Sequence, residues 1–564
     1  MPSSRAPKSS LGTFPSMGTR SVATLSARGL CHEIGGRTVL DAISLTVSPT
    51  SCIGVVGPNG VGKSTLLRLL AGLEAPDEGS VRFDPPTATI GYLAQEHQAR
   101  PGESVRHALT RHVGVEAAEL ELAAAAKGLA TGTHTAEQRY VVALERHQAL
   151  SAGGIDARID ATLADLGLDL GPGAHTTIAD KPMAVLSGGE ASRVALAAVI
   201  LSRFDITLLD EPTNDLDFDG LERLEKFVAS RTGGMVIVSH DRTFLDRTVT
   251  SVLELRDHDH SGQEYGGGWA AYLAERETAH RHASEEYAVY DARRQDLKSR
   301  AQRERQWATT GVAKEKRSPR DNDKVQRNFR IDRTEQLAGR ARRSERALAT
   351  LAEVEKPWEG WDLHFSIGQA PRSGTVVVRL DDAVIRRGEF SLGPLSVEIG
   401  WADRVALTGP NGSGKSSLVQ ALLGRLPLAT GAHWMGPGVV VGELGQSRRV
   451  DHHTRTVVES VVSRCGLTDS EVRSLLAKFG LGADHVTRPH ASLSPGERTR
   501  AELAIFQAQG VNFLVLDEPT NHLDVPAIEQ LETALAGFGG TVLLVTHDRR
   551  LLDSVELGRR IELG

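Results

Sequence analysis

The chain has very little cysteine. Its three, Cys31, Cys52 and Cys465, lie far apart. That spacing supplies neither a disulfide framework nor a zinc site, and leaves small buried hydrophobes in a reducing cytoplasm as the reading. Long apolar runs are missing too. The longest candidate, Val194–Leu201, falls well short of the ~18 residues a membrane span needs and reads as a buried helix segment. Met1–Arg20 is rich in Ser, Pro and Gly with no apolar core, which argues against a secretory leader and predicts a disordered extension over 1–24. Lysine is scarce, 12 against 53 arginines. The rest of the composition is that of a globular protein, 40% hydrophobic and 24% charged. At 564 residues the chain is too long for one core, and about two to four domains are expected.

What the chain does have is a repeat. Gly57, Pro58, Asn59, Gly60, Val61, Gly62, Lys63, Ser64 and Thr65 recur as Gly409, Pro410, Asn411, Gly412, Ser413, Gly414, Lys415, Ser416 and Ser417. Leu186–Glu190 recurs as Leu493–Glu497, Leu209–Asn214 as Leu516–Asn521, and Val238–Arg242 as Val545–Arg549. Four elements in one order mark a duplicated domain, with copies placed at 25–263 and 373–564. The first copy carries about 45 more residues between Lys63 and Ser187 than the second does between Lys415 and Ser494. They fall in an Ala/Glu/Leu-rich, helix-favouring stretch at about 113–161, which reads either as a longer helical subdomain or as an arm that touches a partner.

Positive charge is concentrated between the copies, in a linker at 264–372. From Arg276 to Arg346 there are 20 Lys/Arg and 12 Asp/Glu, a net of +8 in a chain of net −7. Trp269–Ala308 and Lys324–Glu355 have helical spacing, and Gly311 and Pro319 break the pattern between them. The prediction is a basic helical hairpin with a tip at Thr309–Asp323, reaching ~50–60 Å at 1.5 Å per residue. Internal packing does not call for so long a charged hairpin.

The repeated motifs carry phosphate chemistry. Each Gly-rich loop lies between an apolar strand (Cys52–Val56; Arg404–Leu407) and a helix (Ser64–Leu70; Ser416–Leu423). Glycines in that context let backbone N–H groups curl around a phosphate at a helix N-terminus. Lys63 and Lys415 would neutralise β- and γ-oxygens, and Ser64 and Ser416 would hold Mg²⁺. Ile206–Asp210 and Phe513–Asp517 read as buried strands that place Asp210 and Asp517 as further Mg²⁺ anchors. Glu211 and Glu518 follow, where a carboxylate can orient and deprotonate an attacking water. Ser187, Gly189, Ser494 and Gly496 start helices whose amides and dipole can grip a γ-phosphate. His240 and His547 end a third apolar strand, within reach of its edge.

Together these motifs resemble the ATP-binding cassette superfamily, twice over. The resemblance implies an α/β fold of two P-loop cassettes joined by a long helical hairpin, and an ATPase. It implies ATP and Mg²⁺, with Gln95 and Gln446 as the glutamines that approach the metal. Each nucleotide would be sandwiched between cassettes within one chain. Gly57–Thr65, Gln95, Asp210, Glu211 and His240 would face Ser494 and Gly496, and Gly409–Ser417, Gln446, Asp517, Glu518 and His547 would face Ser187 and Gly189. The tandem arrangement, the charged hairpin and Leu516–Asp524 resemble the ABC-F class. That implies a cytoplasmic monomer binding the large ribosomal subunit at the exit-tRNA site through rRNA, with neither membrane nor DNA as partner. The Arg-rich composition, Lys316–Lys324 and Phe390–Pro394 resemble members from antibiotic-producing actinomycetes that protect ribosomes from macrolides, lincosamides and streptogramins. A housekeeping translation factor and the energising subunit of a drug exporter remain as alternatives; the long basic hairpin argues against the latter.

Three departures from the family pattern stand out. Asn214–Asp217 lacks the His found in Asn521–Asp524. Pro495 replaces the first glycine of the second signature. Ile34 and Arg387 occupy the place of the usual adenine-stacking aromatic, which predicts a purely apolar base contact at the first site and an arginine stack at the second.

Overall fold

The computed structural model describes residues 23–94, 100–151, 154–168, 178–186, 188–202, 204–317, 342–343, 345–351, 354, 372–388, 390–445, 455–521 and 523–563. The chain divides into two compact units, Met1–Ala270 with Leu363–Gly564, and Ala271–Asp362.

The first unit holds both repeats. In the first, the strands run in spatial order Ile90–Leu93, Ile206–Asp210, Gly234–Val238, Cys52–Val56, Ser251–Leu255 and Gly262–Gly266, parallel except for the last. In the second, the order is Val441–Leu444, Phe513–Asp517, Thr541–Val545, Arg404–Thr408 and Arg559–Glu562, all parallel. Ile206–Asp210, Gly234–Val238 and Cys52–Val56 are buried at every position. This is why they read as unbroken apolar runs: a parallel sheet has to be covered on both faces. Each repeat adds a three-stranded antiparallel sheet, with Thr24–Ile34 central in one and Val376–Arg387 central in the other. The longer strand Thr24–Ile34 alternates at its start, Leu25 and Ala27 facing inward, and a bulge after Ala27 returns Leu30 to the same face. The helix Lys63–Leu70 fills the gap with Leu66, Leu67, Leu69 and Leu70, all at most 1% exposed.

The 113–161 stretch forms the helices Val115–Gly128 and His134–Ser151, which pack on each other, followed by Ile155–Asp165.

The helix Gly268–Arg317, all but its first three residues in the second unit, runs for 50 residues, or ~75 Å. It passes straight through Gly311, so the break expected there does not occur. A lone helical glycine costs about 1 kcal/mol, which the flanking turns absorb. Thr309–Arg317, read from the sequence as tip, is therefore helical. Pro319, the rest of the tip and most of the Lys324–Glu355 limb lie outside the described residues. No helix among the described residues is long and apolar enough to cross a membrane.

Candidate functional site

Each Gly-rich loop turns from a buried strand into a helix capped by Gly62 or Gly414, with φ of 107° and 96°. Only glycine takes that conformation without strain. A Cβ there would stand 2.7 Å from Val39 Cγ1 or from Phe390 Cζ. Lys63 Nζ donates to the Gly57 and Pro58 carbonyls at 2.8 and 3.1 Å, and Lys415 Nζ to those of Gly409 and Pro410 at 2.7 and 3.0 Å. Both ammonium groups are thus held in the bowl of their own loop. Burial pushes both lysine pKa values down, and an anion in the bowl would restore the charged form.

The carboxylates line up behind the loops. Ser416 Oγ donates to Asp517 Oδ2 at 3.3 Å, and at the first site the matching Ser64 stabilises the charged form of Asp210. Asp210 Oδ1 is buried with no hydrogen-bond partner. A hydroxyl beside a carboxylate oxygen is a hard-donor pair that suits Mg²⁺, which typically takes one or two protein oxygens and fills its shell with phosphate and water. No denser cluster of His, Cys, Asp and Glu occurs among the described residues. The residues present fit that ion.

Glu211 and Glu518 have φ of 51° and 47°, a left-handed conformation uncommon for glutamate. Their backbone N–H groups donate to Val238 and Val545 carbonyls at 2.9 and 2.8 Å, which holds the strained turn to the neighbouring strand. Burial pushes Glu211 up to about 7 and Glu518 up to about 8. Such a carboxyl is poised near the pH at which a general base works best. His240 Nε2 lies 3.1 Å from Glu211 Oε1, and His547 Nε2 lies 3.5 Å from Glu518 Oε1. Burial lowers His547 to about 4, so it is neutral at pH 7.

The two repeats meet at these loops. Asn411 N donates to Asp217 Oδ2 at 3.0 Å and Asn411 Nδ2 to the Asp215 carbonyl at 2.7 Å. Asn59 N donates to Asp524 Oδ2 at 3.1 Å. A Cβ on Gly189 would come within 2.8 Å of Asn411 Cβ, so the first repeat's signature turn lies directly on the second repeat's loop. A cavity of about 700 Å³ opens there, lined from one side by Gly189, Arg193 and Asp215 and from the other by Lys415, Asp517 and Glu518. Reciprocal ion pairs flank the junction, Arg242 with Glu532 and Arg549 with Glu225.

Ser494 caps the helix Pro495–Gln509 in a capping box with Glu497, and Pro495 takes the first helical position, where its missing N–H is not needed by the helix. Gly496 lies in the first turn of that helix. Ser187, Gln95 and Gln446 are outside the described residues. Gly189 lies in the helix Gly188–Leu201.

Several aromatic residues stand at these sites in roles the sequence reading did not give them. Phe390, 36% exposed, lines the second-site cavity beside Arg387. An aromatic thus does stand at that site, carried by the next strand across the pair Arg387↔Phe390. The matching corner of the first repeat pairs Ile34 with Arg37. Phe218 packs edge-on against His547 from the opposite repeat, with 5.1 Å between centroids. Tyr92 hydrogen-bonds Asp210. None of these aromatics belongs to a repeated motif.

Comparison with known proteins adds to this geometry. The ABC transporter family model matches residues 40–214 and again 392–521. The tylosin resistance ATP-binding protein TlrC of Streptomyces fradiae is 36% identical over 549 residues, 95% of this chain and 96% of that protein. The energy-dependent translational throttle protein EttA of Escherichia coli K12 is 31% identical over 545 residues, covering 93% and 90%. Among solved structures, the complex of archaeal ribosomal stalk protein aP1 with the archaeal ribosome recycling factor aABCE1 matches with a TM-score of 0.55 at 18% identity, covering 95% of this chain and 87% of that one. The last is a likeness of fold.

Proposed function

Because this chain belongs to the ABC-F class of ATP-binding cassette proteins and is an ATPase, we propose that it hydrolyses ATP at two composite sites and uses that cycle to act on the ribosome. The observation that carries the composite reading is the crossed pair of contacts, Asn59 with Asp524 and Asn411 with Asp217. Each phosphate loop is thereby read by the other cassette. Lys63 and Lys415 receive the phosphates, and Ser64 with Asp210 and Ser416 with Asp517 would hold Mg²⁺, Gln95 and Gln446 completing each set. When bound, the ion would screen the β- and γ-phosphate charge. Glu211 and Glu518 take the proton of the attacking water, and His240 and His547 position those carboxylates. The signature turns, Ser494 with Gly496 and Ser187 with Gly189, close each site from across the junction.

The ribosome is the partner this reading assigns, specifically the large subunit at the exit-tRNA site. The support is the basic linker, +8 from Arg276 to Arg346 in a chain of net −7, together with similarity along 95% of the chain to a tylosin resistance protein. Such a segment neutralises RNA phosphates, while the acidic remainder disfavours indiscriminate adhesion. The function is protection of that subunit from macrolide, lincosamide or streptogramin drugs by the linker, in the cytoplasm. Sedimentation through sucrose tests the partner: ATP should carry the Glu211→Gln, Glu518→Gln protein into the ribosome pellet, and equal recovery in the supernatant with and without ATP refutes it. In-vitro translation with tylosin tests the function. Wild type should rescue, and replacing 309–323 by a short Gly/Ser turn should remove rescue at matched ribosome occupancy while sparing ATP hydrolysis. The similarity to the translational throttle protein favours a second reading, a translation factor without a drug role; absence of rescue with any large-subunit drug selects it.

A further inference from the structure

The two cassettes put different residues behind their metal-facing carboxylates. In the first, Ile90–Leu93 pairs with Ile206–Asp210 so that Tyr92 stands beside Leu208; in the second, Val441–Leu444 pairs with Phe513–Asp517 so that Glu443 stands beside Val515. Tyr92 and Glu443 therefore share one register, each opposite the residue two before the aspartate. Their contacts differ. Tyr92 Oη donates to Asp210 Oδ2 at 3.1 Å, and Ser64 stabilises the charged form of the same carboxyl. Asp210 Oδ1 is left buried without a hydrogen-bond partner. Arg68, held by Thr65 Oγ1 at 3.1 Å and Glu74 Oε1 at 2.7 Å, adds a positive charge that favours the ionised Asp210. At the second site Ser416 donates to Asp517 Oδ2 at 3.3 Å. An ionised Glu443 has only acceptors to offer, and it turns to Arg425 instead.

A carboxylate with one oxygen tied by a donor that is not itself a metal ligand, such as Tyr92 but not Ser416, presents the other in a single orientation once the ion is bound, so ligation freezes no further rotor. Partners one step behind a metal ligand are typically worth ~10–100-fold in metal affinity. We propose that Tyr92 is a positioning residue that fixes Asp210 for Mg²⁺ and makes the first composite site the tighter metal site of the two, Glu443 leaving Asp517 without that support. This rests on the reading of Asp210 and Asp517 as metal carboxylates.

The test uses the full chain carrying Glu211→Gln and Glu518→Gln, with saturating ATP, and follows free Mn²⁺ by electron paramagnetic resonance. Two binding phases are expected, separated by ~10-fold or more. Tyr92→Phe, which keeps the ring, should weaken the tight phase by about the same factor and leave ATP affinity in EDTA unchanged. An unchanged tight phase in Tyr92→Phe overturns the proposal. So does an equal loss of ATP affinity in EDTA, since that is the mark of a structural role. Asp210→Asn should abolish the tight phase; if it persists, the metal assignment itself falls, which separates that failure from failure of the role given to Tyr92.

Discussion

Asp524 divides its two oxygens between two tasks, and a single substitution can separate them. Its Oδ1 accepts from Ala527 N at 3.0 Å and caps the helix Val525–Gly537; its Oδ2 accepts from Asn59 N at 3.1 Å in the opposite phosphate loop. Asp524→Asn keeps an oxygen for the cap, and Asn caps helices about as well as Asp, so fold stability should change by at most a few tenths of a kcal/mol. Across the junction, however, the amide sets a donor against the Asn59 N–H. A hydrogen bond to a charged group contributes about 1.5–3 kcal/mol. Water can recover part of that at a partly buried junction, so a loss of about 2 kcal/mol is expected, roughly 30-fold in the ratio of closed to open cassettes. Asp524→Ala should show the same closure defect and, in addition, lose about 1 kcal/mol of fold stability with the cap. A fluorescence-transfer pair, one dye on each cassette of the Glu211→Gln, Glu518→Gln protein, reads closure as ATP is titrated, and chemical denaturation reads stability. The mirror residue Asp217, bonded to Gly220 N at 3.0 Å and Asn411 N at 3.0 Å, should behave alike. If Asp524→Asn closes at the wild-type ATP concentration, or loses as much stability as Asp524→Ala, the contact does not couple the cassettes.

Glu211→Gln with Glu518→Gln should lower steady-state hydrolysis by at least ~100-fold while ATP binding persists, because the amide cannot take a proton; turnover within a few-fold of wild type refutes the assignment. Pro495→Gly should lower denaturation stability by about 0.5–1 kcal/mol through the freer unfolded chain, and a phosphate clearance assay should find first-site hydrolysis retained, since position 495 contributes no N–H to begin with. Asp241 caps the helix Arg242–Thr248, accepting from Phe244 N at 2.9 Å, and burial, with Asp548 nearby, pushes its pKa up to about 6. A folded-state value above the unfolded one means its contribution is most favourable below pH ~4 and is lost as pH rises through about 6. Asp241→Asn should therefore raise the melting temperature at pH 8, and the gain should shrink toward pH 5; a gain that is flat or grows on acidification contradicts the linkage.

How much of this was legible in the sequence depends on where the information lies. The phosphate loops were legible because strand, glycines, lysine and helix are consecutive, and their order alone specifies the turn that Gly62 and Gly414 complete. The carboxylates Asp210 and Asp517 were legible because a fully buried parallel strand must end where its apolar run ends. That Asp217 and Asp524 each face the other cassette was not, since a helix-capping Asp looks the same whether or not a second backbone N–H approaches it. Phe390 escaped for a related reason. The family pattern marks the position of Arg387 on one strand, whereas the ring enters from the paired strand. The Gly311 break failed because local propensity of about 1 kcal/mol is small against the cooperativity of a long helix. Tyr92 is the most instructive case. Nothing in Ile90–Leu93 marks its hydroxyl as different from any other; the pairing register sets Tyr92 beside Leu208, from where it reaches Asp210, while Glu443, in the same register beside Val515, pairs with Arg425. A duplicated sequence invites the assumption of duplicated sites. Ile34 against Arg387 showed in the sequence because both lie at a position the family pattern marks; Tyr92 against Glu443, and Phe218 against Val525 after the two capping aspartates, stand outside the repeated motifs and did not.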